Sequence, residues 1–278
     1  MALIPPFFID SVVAIGAENI VNTKTEKKWI GTGFLFGKFL SVQADDPTKK
    51  SYACYLVTNK HVIEKHERII IRFNPQNGQS AKDYAIQLKS MPDKKHWAGH
   101  PDKGTDVAVI PMNLKTLEDA GMKFGFFKSD MDAFNTATME RLGVGEGDFT
   151  YTLGFPMGMM PSDRQHVIVR SGIIARIRDV FEKRSSSFVV DSMVFPGNSG
   201  GPVVFKPEAI SIQPNAPIKQ AALIGIVKSY IQYTDVAISQ QTGRPRVIFE
   251  ENSGLANVET VDKILETIAN AESTGKHA

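Results

Sequence analysis

Short apolar runs rich in Val, Ile, Phe and Leu, bounded by polar stretches, recur along most of this chain and read as strands. In the first half Ser11–Ala17, Trp29–Leu40, Tyr52–Val57, Arg68–Phe73 and Tyr84–Leu88 read this way. Polar stretches at 19–28, 44–50 and 74–80 read as the turns between them. In the second half the pattern returns at Phe149–Gly154, Gln165–Arg178, Phe188–Val194, Pro202–Phe205, Gln220–Tyr233 and, briefly, Val247–Glu250. Lys206–Lys219 reads as a surface loop. The middle is mixed, with Thr136–Leu142 its best short helix. Val258, Val261, Ile264, Leu265 and Ile268 recur at helical spacing, which predicts a helix over 258–271, packed on the second half. The expected organisation is a first β unit at 1–115, a connector at 116–148, a second β unit at 149–250 and a helix with tail at 251–278. Together they make one domain.

The densest turn signal is Gly197-Asn198-Ser199-Gly200-Gly201-Pro202. Glycine admits positive φ and lets other atoms approach the backbone. Such a turn can hold a serine hydroxyl outward and aim neighbouring N–H groups at one point, the arrangement of a nucleophile beside an oxyanion hole. It also reads as a plain hairpin turn. Upstream, the strand Tyr52–Val57 delivers His61 at the start of a short helical turn, although His61 also reads as a residue that merely ends a strand. Asp106 opens the apolar run Val107–Pro111, where an aspartate also serves as a local turn acceptor. The order His61, Asp106, Ser199 puts the first two in the first half and the serine in the second.

Composition narrows the function classes. A chain of 278 residues, 42 % apolar and 22 % charged, can bury a large core. A net charge of +2 gives no electrostatic case for nucleic acid or an anionic membrane. No apolar run is long enough to span a bilayer, and the N-terminus lacks the basic segment of a signal peptide. Cys54 is the only cysteine, so no intrachain disulfide forms, and the expected location is a reducing, cytoplasmic one. Cys54 itself reads as a small buried strand residue. Gly31, Gly33 and Gly37 have the wrong spacing for a phosphate loop. His96 and His100 lie in a polar loop without the glutamate of a zinc-protease motif, so a solvated loop is the reading there, not a metal. His66, His166 and His277 have no motif around them.

The motifs together resemble a trypsin-like (chymotrypsin-fold) serine peptidase, in particular the protease domain of the HtrA/Deg family. The matching pieces are Gly31-Thr32-Gly33-Phe34, Thr58-Asn59-Lys60-His61-Val62, Thr105 to Val109, Leu153-Gly154-Phe155-Pro156, Asp191 through Pro202, and Ile224-Gly225-Ile226. The fold this resemblance implies is all-β: two six-stranded antiparallel barrels, one over 1–115 and one over 149–250, with a C-terminal helix. It implies acyl transfer by Ser199, with His61 as base, Asp106 as its orienting partner, and the N–H groups of Gly197 and Ser199 as the oxyanion hole. It implies a polypeptide substrate and neither metal nor cofactor.

The same resemblance implies a primary substrate pocket with Met193 at its base, Lys228, Ser229 and Tyr230 on its walls, and Phe195 nearby. No carboxylate stands at that base, so an apolar side chain is expected before the scissile bond, unless the Lys228 ammonium turns inward and favours acidic ones. Asp191 is expected to be a structural acceptor. Asn198 stands where digestive relatives carry an aspartate that pairs with a newly cleaved N-terminus, so activation by such cleavage is not expected. Loop ordering by a protein partner or by a homo-oligomer is the expected control. The roughly 45 residues after Tyr233 are too few for a PDZ domain. The competing reading is a pseudoprotease that holds a peptide in a silent cleft.

Overall fold

The computed structural model describes residues 4–21, 24–43, 46–78, 80–90, 94–208 and 220–275. The chain is mostly strand. The surface-loop expectation over Lys206–Lys219 lies largely outside the described residues. In the first half Val12–Val21, Lys24–Gln43, Asp46–Thr58, Arg68–Pro75 and Lys82–Gln87 pair as antiparallel neighbours, and Ala108–Pro111 joins on Asp46–Thr58. Their inward side chains, among them Ile15, Leu35, Leu56, Ile71 and Phe73, are buried in one apolar core.

The second half closes into a six-stranded barrel. Its strands are Phe149–Gly154, Ile168–Arg176, Ser187–Asp191, Pro245–Thr260, Ala222–Ile238 and Pro202–Phe205, in that order around the barrel. Phe188, Val190, Val203, Phe205, Ile224 and Val258 fill it. A third core lies where the halves meet. It joins Val12, Phe34, Tyr55 and Val107 to Leu153, Phe155, Val204 and Ile226. This apolar seam fixes the two halves against each other, so groups mounted on opposite sides of it hold a constant distance.

The all-β class, a two-barrel plan of one closed barrel and one curled half-barrel, and the C-terminal helix are as expected, and three particulars differ. The first half is a curled nine-stranded sheet, not a closed six-stranded barrel among the described residues. Its path ends on the two-residue strands Met122–Lys123 and Ala98–Gly99. Edges that short carry too few ladder hydrogen bonds to join one another. Within the connector, Met122–Lys123 pairs with Arg68–Pro75 and Phe127–Lys128 runs parallel to Phe36–Gly37.

The C-terminal helix, Val261–Ser273, packs chiefly on the first half, with less contact to the second barrel on which it was expected. Val261, Ile264, Ile268 and Ala271 sit in the shared core with Ala98, Val107 and Val109. The chain reverses at Thr260, and the helix's apolar stripe crosses back to the otherwise open end of the first sheet. The last barrel strand runs to Thr260, so the boundary expected at 250 falls inside it. That strand and its partner also leave the barrel. From Gln232 to Ile238 and Pro245 to Asn252 they pair only with each other, as a ribbon exposed on both faces. Tyr233, Ile238, Ile248 and Phe249 are all more than half exposed on it.

Candidate active site

His61 reaches the cleft through three consecutive choices of residue. Thr58 and Asn59 are fully buried at the end of the strand Asp46–Thr58. The Thr58 hydroxyl donates to the Thr32 carbonyl at 2.8 Å, and the Asn59 amide donates to the Asp106 carbonyl at 2.6 Å. The short helix Lys60–Ile63 then turns Val62 and Ile63 into the core. His61 is left facing outward with its ring about half exposed, 47 %.

Asp106 meets it there. One carboxylate oxygen accepts the His61 backbone N–H at 3.2 Å and the other sits 2.5 Å from ring Nδ1. An acceptor-only carboxylate at Nδ1 places the imidazole proton on that nitrogen, so Nε2 presents its lone pair to the cleft. The loop carrying Asp106 is held by its own turn. Asp102 accepts from the Gly104 N–H and the Thr105 hydroxyl, both at 3.1 Å. The Gly104 bond first, then the Thr105 bond, hold the Asp102 carboxyl below its ordinary value. With its pKa depressed, this carboxylate supports the loop at every pH above its ordinary value. The support fades only as pH falls through the lower folded value.

The serine turn is bolted to both halves. Phe195 accepts from the Asn198 N–H at 2.9 Å, with Pro196 and Gly197 between them and Gly197 at φ +100°. Proline second and a positive-φ glycine third make this a type II turn. Asn198, only 1 % exposed, closes the turn from inside by accepting the Phe195 N–H at 3.0 Å. The Thr32 hydroxyl donates to the Gly197 carbonyl at 2.6 Å and accepts the Phe155 N–H at 3.1 Å, while the Thr32 N–H donates to the Ser199 carbonyl at 2.9 Å. Gly200 donates to the Val227 carbonyl at 3.0 Å. Among the described residues the N–H groups of Gly197 and Ser199 have no protein acceptor, so two donors are left free beside the Ser199 hydroxyl.

His61, Asp106 and Ser199 line one cavity of about 330 Å³ with Val194, Phe195, Pro196, Val227, Lys228, Ser229 and Tyr230. No hydrogen bond joins Ser199 to His61 among the described residues; such contacts commonly tighten only around substrate. A larger hollow, about 560 Å³, lies between Ile86, His96, Pro111 and Thr274 and contains none of these three residues.

Two sequence readings of this region need correction. Met193 does not line the cavity. The in-and-out alternation through Asp191, Ser192, Met193 and Val194 turns it outward, 49 % exposed, and puts buried Val194 on the cavity instead. Asp191 is exposed, and its carboxylate accepts no hydrogen bond among the described residues. The loop around His96 and His100 is also less solvated than its composition implies. His100 is 7 % exposed, accepts the Asp102 N–H at 3.1 Å and lies 2.8 Å from Glu266 of the C-terminal helix. His96 instead meets Ser90.

Two residues that matter here carried no sequence signal of their own. Thr32 enters the sequence reading only as part of Gly31-Thr32-Gly33-Phe34, with no role of its own, yet it bridges the halves. Glu259 falls within the run expected to be helical, yet it lies in the last barrel strand, fully buried behind Asp106. Thr32→Val keeps the shape of the side chain and removes its hydroxyl, orphaning the Gly197 carbonyl. The expected cost is about 1–3 kcal/mol of stability, read by urea unfolding, with slower labelling of Ser199 by a fluorophosphonate. Unchanged values of both would show that the bridge contributes nothing.

With this geometry in place, the chain can be set beside known proteins. Residues 31–207 match the family model of the trypsin-like peptidase domain. The chain belongs to that family of serine-protease hydrolases. It is 26 % identical over 186 residues to a probable periplasmic serine endoprotease, DegP-like, from Pseudomonas putida. That match takes in 66 % of this chain and 31 % of the relative, so the chain spans about a third of the relative's length. The apo MamO protease domain from Magnetospirillum magneticum overlays with a TM-score of 0.48 at 17 % identity, over 93 % of this chain and 96 % of that one. A likeness that loose bears on neither fold nor chemistry.

Proposed function

We propose that this chain is a serine endopeptidase in which Ser199 attacks the peptide carbonyl and His61 Nε2 takes its proton. His61 then returns the proton to the leaving amine, and water hydrolyses the acyl-enzyme by the reverse route. Asp106 holds the imidazole in the tautomer this requires and stabilises the imidazolium. The Gly197 and Ser199 N–H groups receive the negative charge of the tetrahedral intermediate. One observation carries the reading: the Asp106–His61 pair faces the same cavity as a serine whose turn leaves two N–H donors without a protein acceptor among the described residues. A pseudoprotease would have no use for donors left unpaired beside a free hydroxyl.

The turn also supports a chain that is competent as made. The Asn198 amide already closes the loop that digestive relatives close with a new N-terminal ammonium. Protein purified with its N-terminal segment intact is therefore expected to react with a fluorophosphonate at Ser199, and peptide mapping of the adduct checks it. Labelling that appears only after N-terminal trimming would overturn the activation reading. No labelling under any condition, in a folded protein, would favour the silent cleft. Partner- or oligomer-driven loop ordering would appear as a labelling rate that rises with added partner or with protein concentration.

Location in a reducing compartment is part of the same proposal. It is supported by a buried Cys54 whose thiol burial pushes up to about 11, a residue suited to packing and not to pairing. The word periplasmic in the relative's name points the other way, and cell fractionation decides.

A further inference from the structure

The cavity wall contains a cation that the apolar-pocket reading must account for. Lys228 Nζ lies 2.9 Å from the Glu259 carboxylate and donates to the Gly104 carbonyl at 2.8 Å. Glu259 is 0 % exposed, and the oxygen that meets Lys228 also accepts the Asp106 N–H at 3.4 Å. Its other oxygen has no partner among the described residues. Lys228 and Glu259 both belong to the second barrel, while Gly104 and Asp106 belong to the first half. The pair thus grips both ends of the short segment that carries Asp106. It is a different set of contacts from those that hold the Asp106 carboxylate.

We propose that Glu259 is a specificity-determining and positioning residue: it draws the Lys228 ammonium out of the primary pocket and onto the Asp106 loop. The proposal rests on the serine-peptidase reading of this cavity. With Lys228 engaged, the groups left facing a substrate side chain include Val194, Phe195, Val227 and Tyr230, which suit an aliphatic residue before the scissile bond. Without that carboxylate the Lys228 ammonium would lack its ion-pair partner while still lining the cavity, where an acidic substrate side chain could supply one. The segment Gly104–Asp106 gains two hydrogen bonds from the second barrel in the same arrangement, so the orientation of Asp106 and the charge of the pocket are set by one ion pair.

The test is Glu259→Gln, which keeps the shape and an acceptor for the Asp106 N–H while releasing the lysine. Peptide-library profiling of this variant is expected to raise the kcat/KM ratio of glutamate or aspartate over leucine before the cleaved bond by about tenfold, the scale of one charge-assisted hydrogen bond. Adding Lys228→Met to it removes the cation and is expected to restore the aliphatic preference of the parent. In that double variant kcat on leucine substrates falls while KM holds, because the Asp106 loop has lost the Lys228 bond to the Gly104 carbonyl. A Glu259→Gln protein that labels at Ser199 but keeps the parent's ratio within twofold overturns the proposal. So does an acidic preference that survives loss of Lys228. Were Glu259→Gln alone to fail to fold, the double variant decides: parental kcat on leucine would overturn the positioning role. Failure of the underlying reading looks different, because the parent protein would then not label at Ser199 at all.

Discussion

Ser199→Ala is expected to give a folded protein without measurable peptidase turnover. The side chain loses one oxygen at a position whose carbonyl, not its hydroxyl, ties it to Thr32, so the turn keeps its supports. The chemistry loses its nucleophile, and removing one member of such a unit costs about as much as removing several, around a million-fold in kcat in serine proteases. His61→Ala is expected to match it. Asp106→Asn is expected to retain weak activity, reduced about ten-thousand-fold, because an amide at Nδ1 stabilises the wrong imidazole tautomer. Burst and steady-state kinetics on a cleavable peptide measure all three, with circular dichroism as the control for folding. Undiminished turnover by the Ser199→Ala protein would remove Ser199 from the mechanism.

Gly200→Ala is expected to damage the molecule more than any other single methyl group near the cleft. Gly200 sits at φ +85°, where a side chain costs on the order of 1–3 kcal/mol in backbone strain alone. A Cβ there would lie 2.1 Å from the Thr32 carbonyl oxygen and 2.4 Å from the Thr58 hydroxyl. The nearer contact is backbone, so no rotamer change relieves it. Relief requires moving the serine turn away from the first half, which breaks the Thr32–Ser199 hydrogen bond and opens the seam. The expected result is a lower midpoint in urea together with loss of fluorophosphonate labelling. A variant that unfolds at the parent's midpoint and labels at the parent's rate would show that the turn relaxes freely.

The strands of both halves could be read from short runs rich in Val, Ile, Leu and Phe bounded by polar turns, because each run is buried in a core, as in Arg68–Pro75 with Ile69, Ile70 and Ile71. The last barrel strand could not. Its outer part, with Arg246, Glu250 and Glu251, is exposed on both faces, so no core imposes a period on it, and only Val247–Glu250 looked like a strand. The helix was legible from its apolar spacing. Its packing partner was not, since spacing says which face is buried and not against what. At the site, His61, Asp106 and Ser199 could be found because each sits in a local string of distinctive residues. Thr32 and Glu259 act through contacts made across more than a hundred residues of sequence, and nothing beside them in the chain announces such a partner. The resemblance carries Met193 to the pocket base by its position relative to Ser199 alone. Counting gives a position along the chain, and the alternation after Asp191 decides which side of the backbone it occupies.

The exposed ribbon divides the molecule's response to deuterium. None of the residues from 231 to 250 is buried, so the free energy that opens their amides is local, a fraction of that holding the barrel closed. Residues 222–227 belong to the same strand but are buried throughout and pair with one or both of their barrel neighbours. Along one continuous strand, exchange therefore passes from fast to slow within a few residues of Lys228. Solvent reaches the ribbon's backbone while the pocket wall it grows from stays shut.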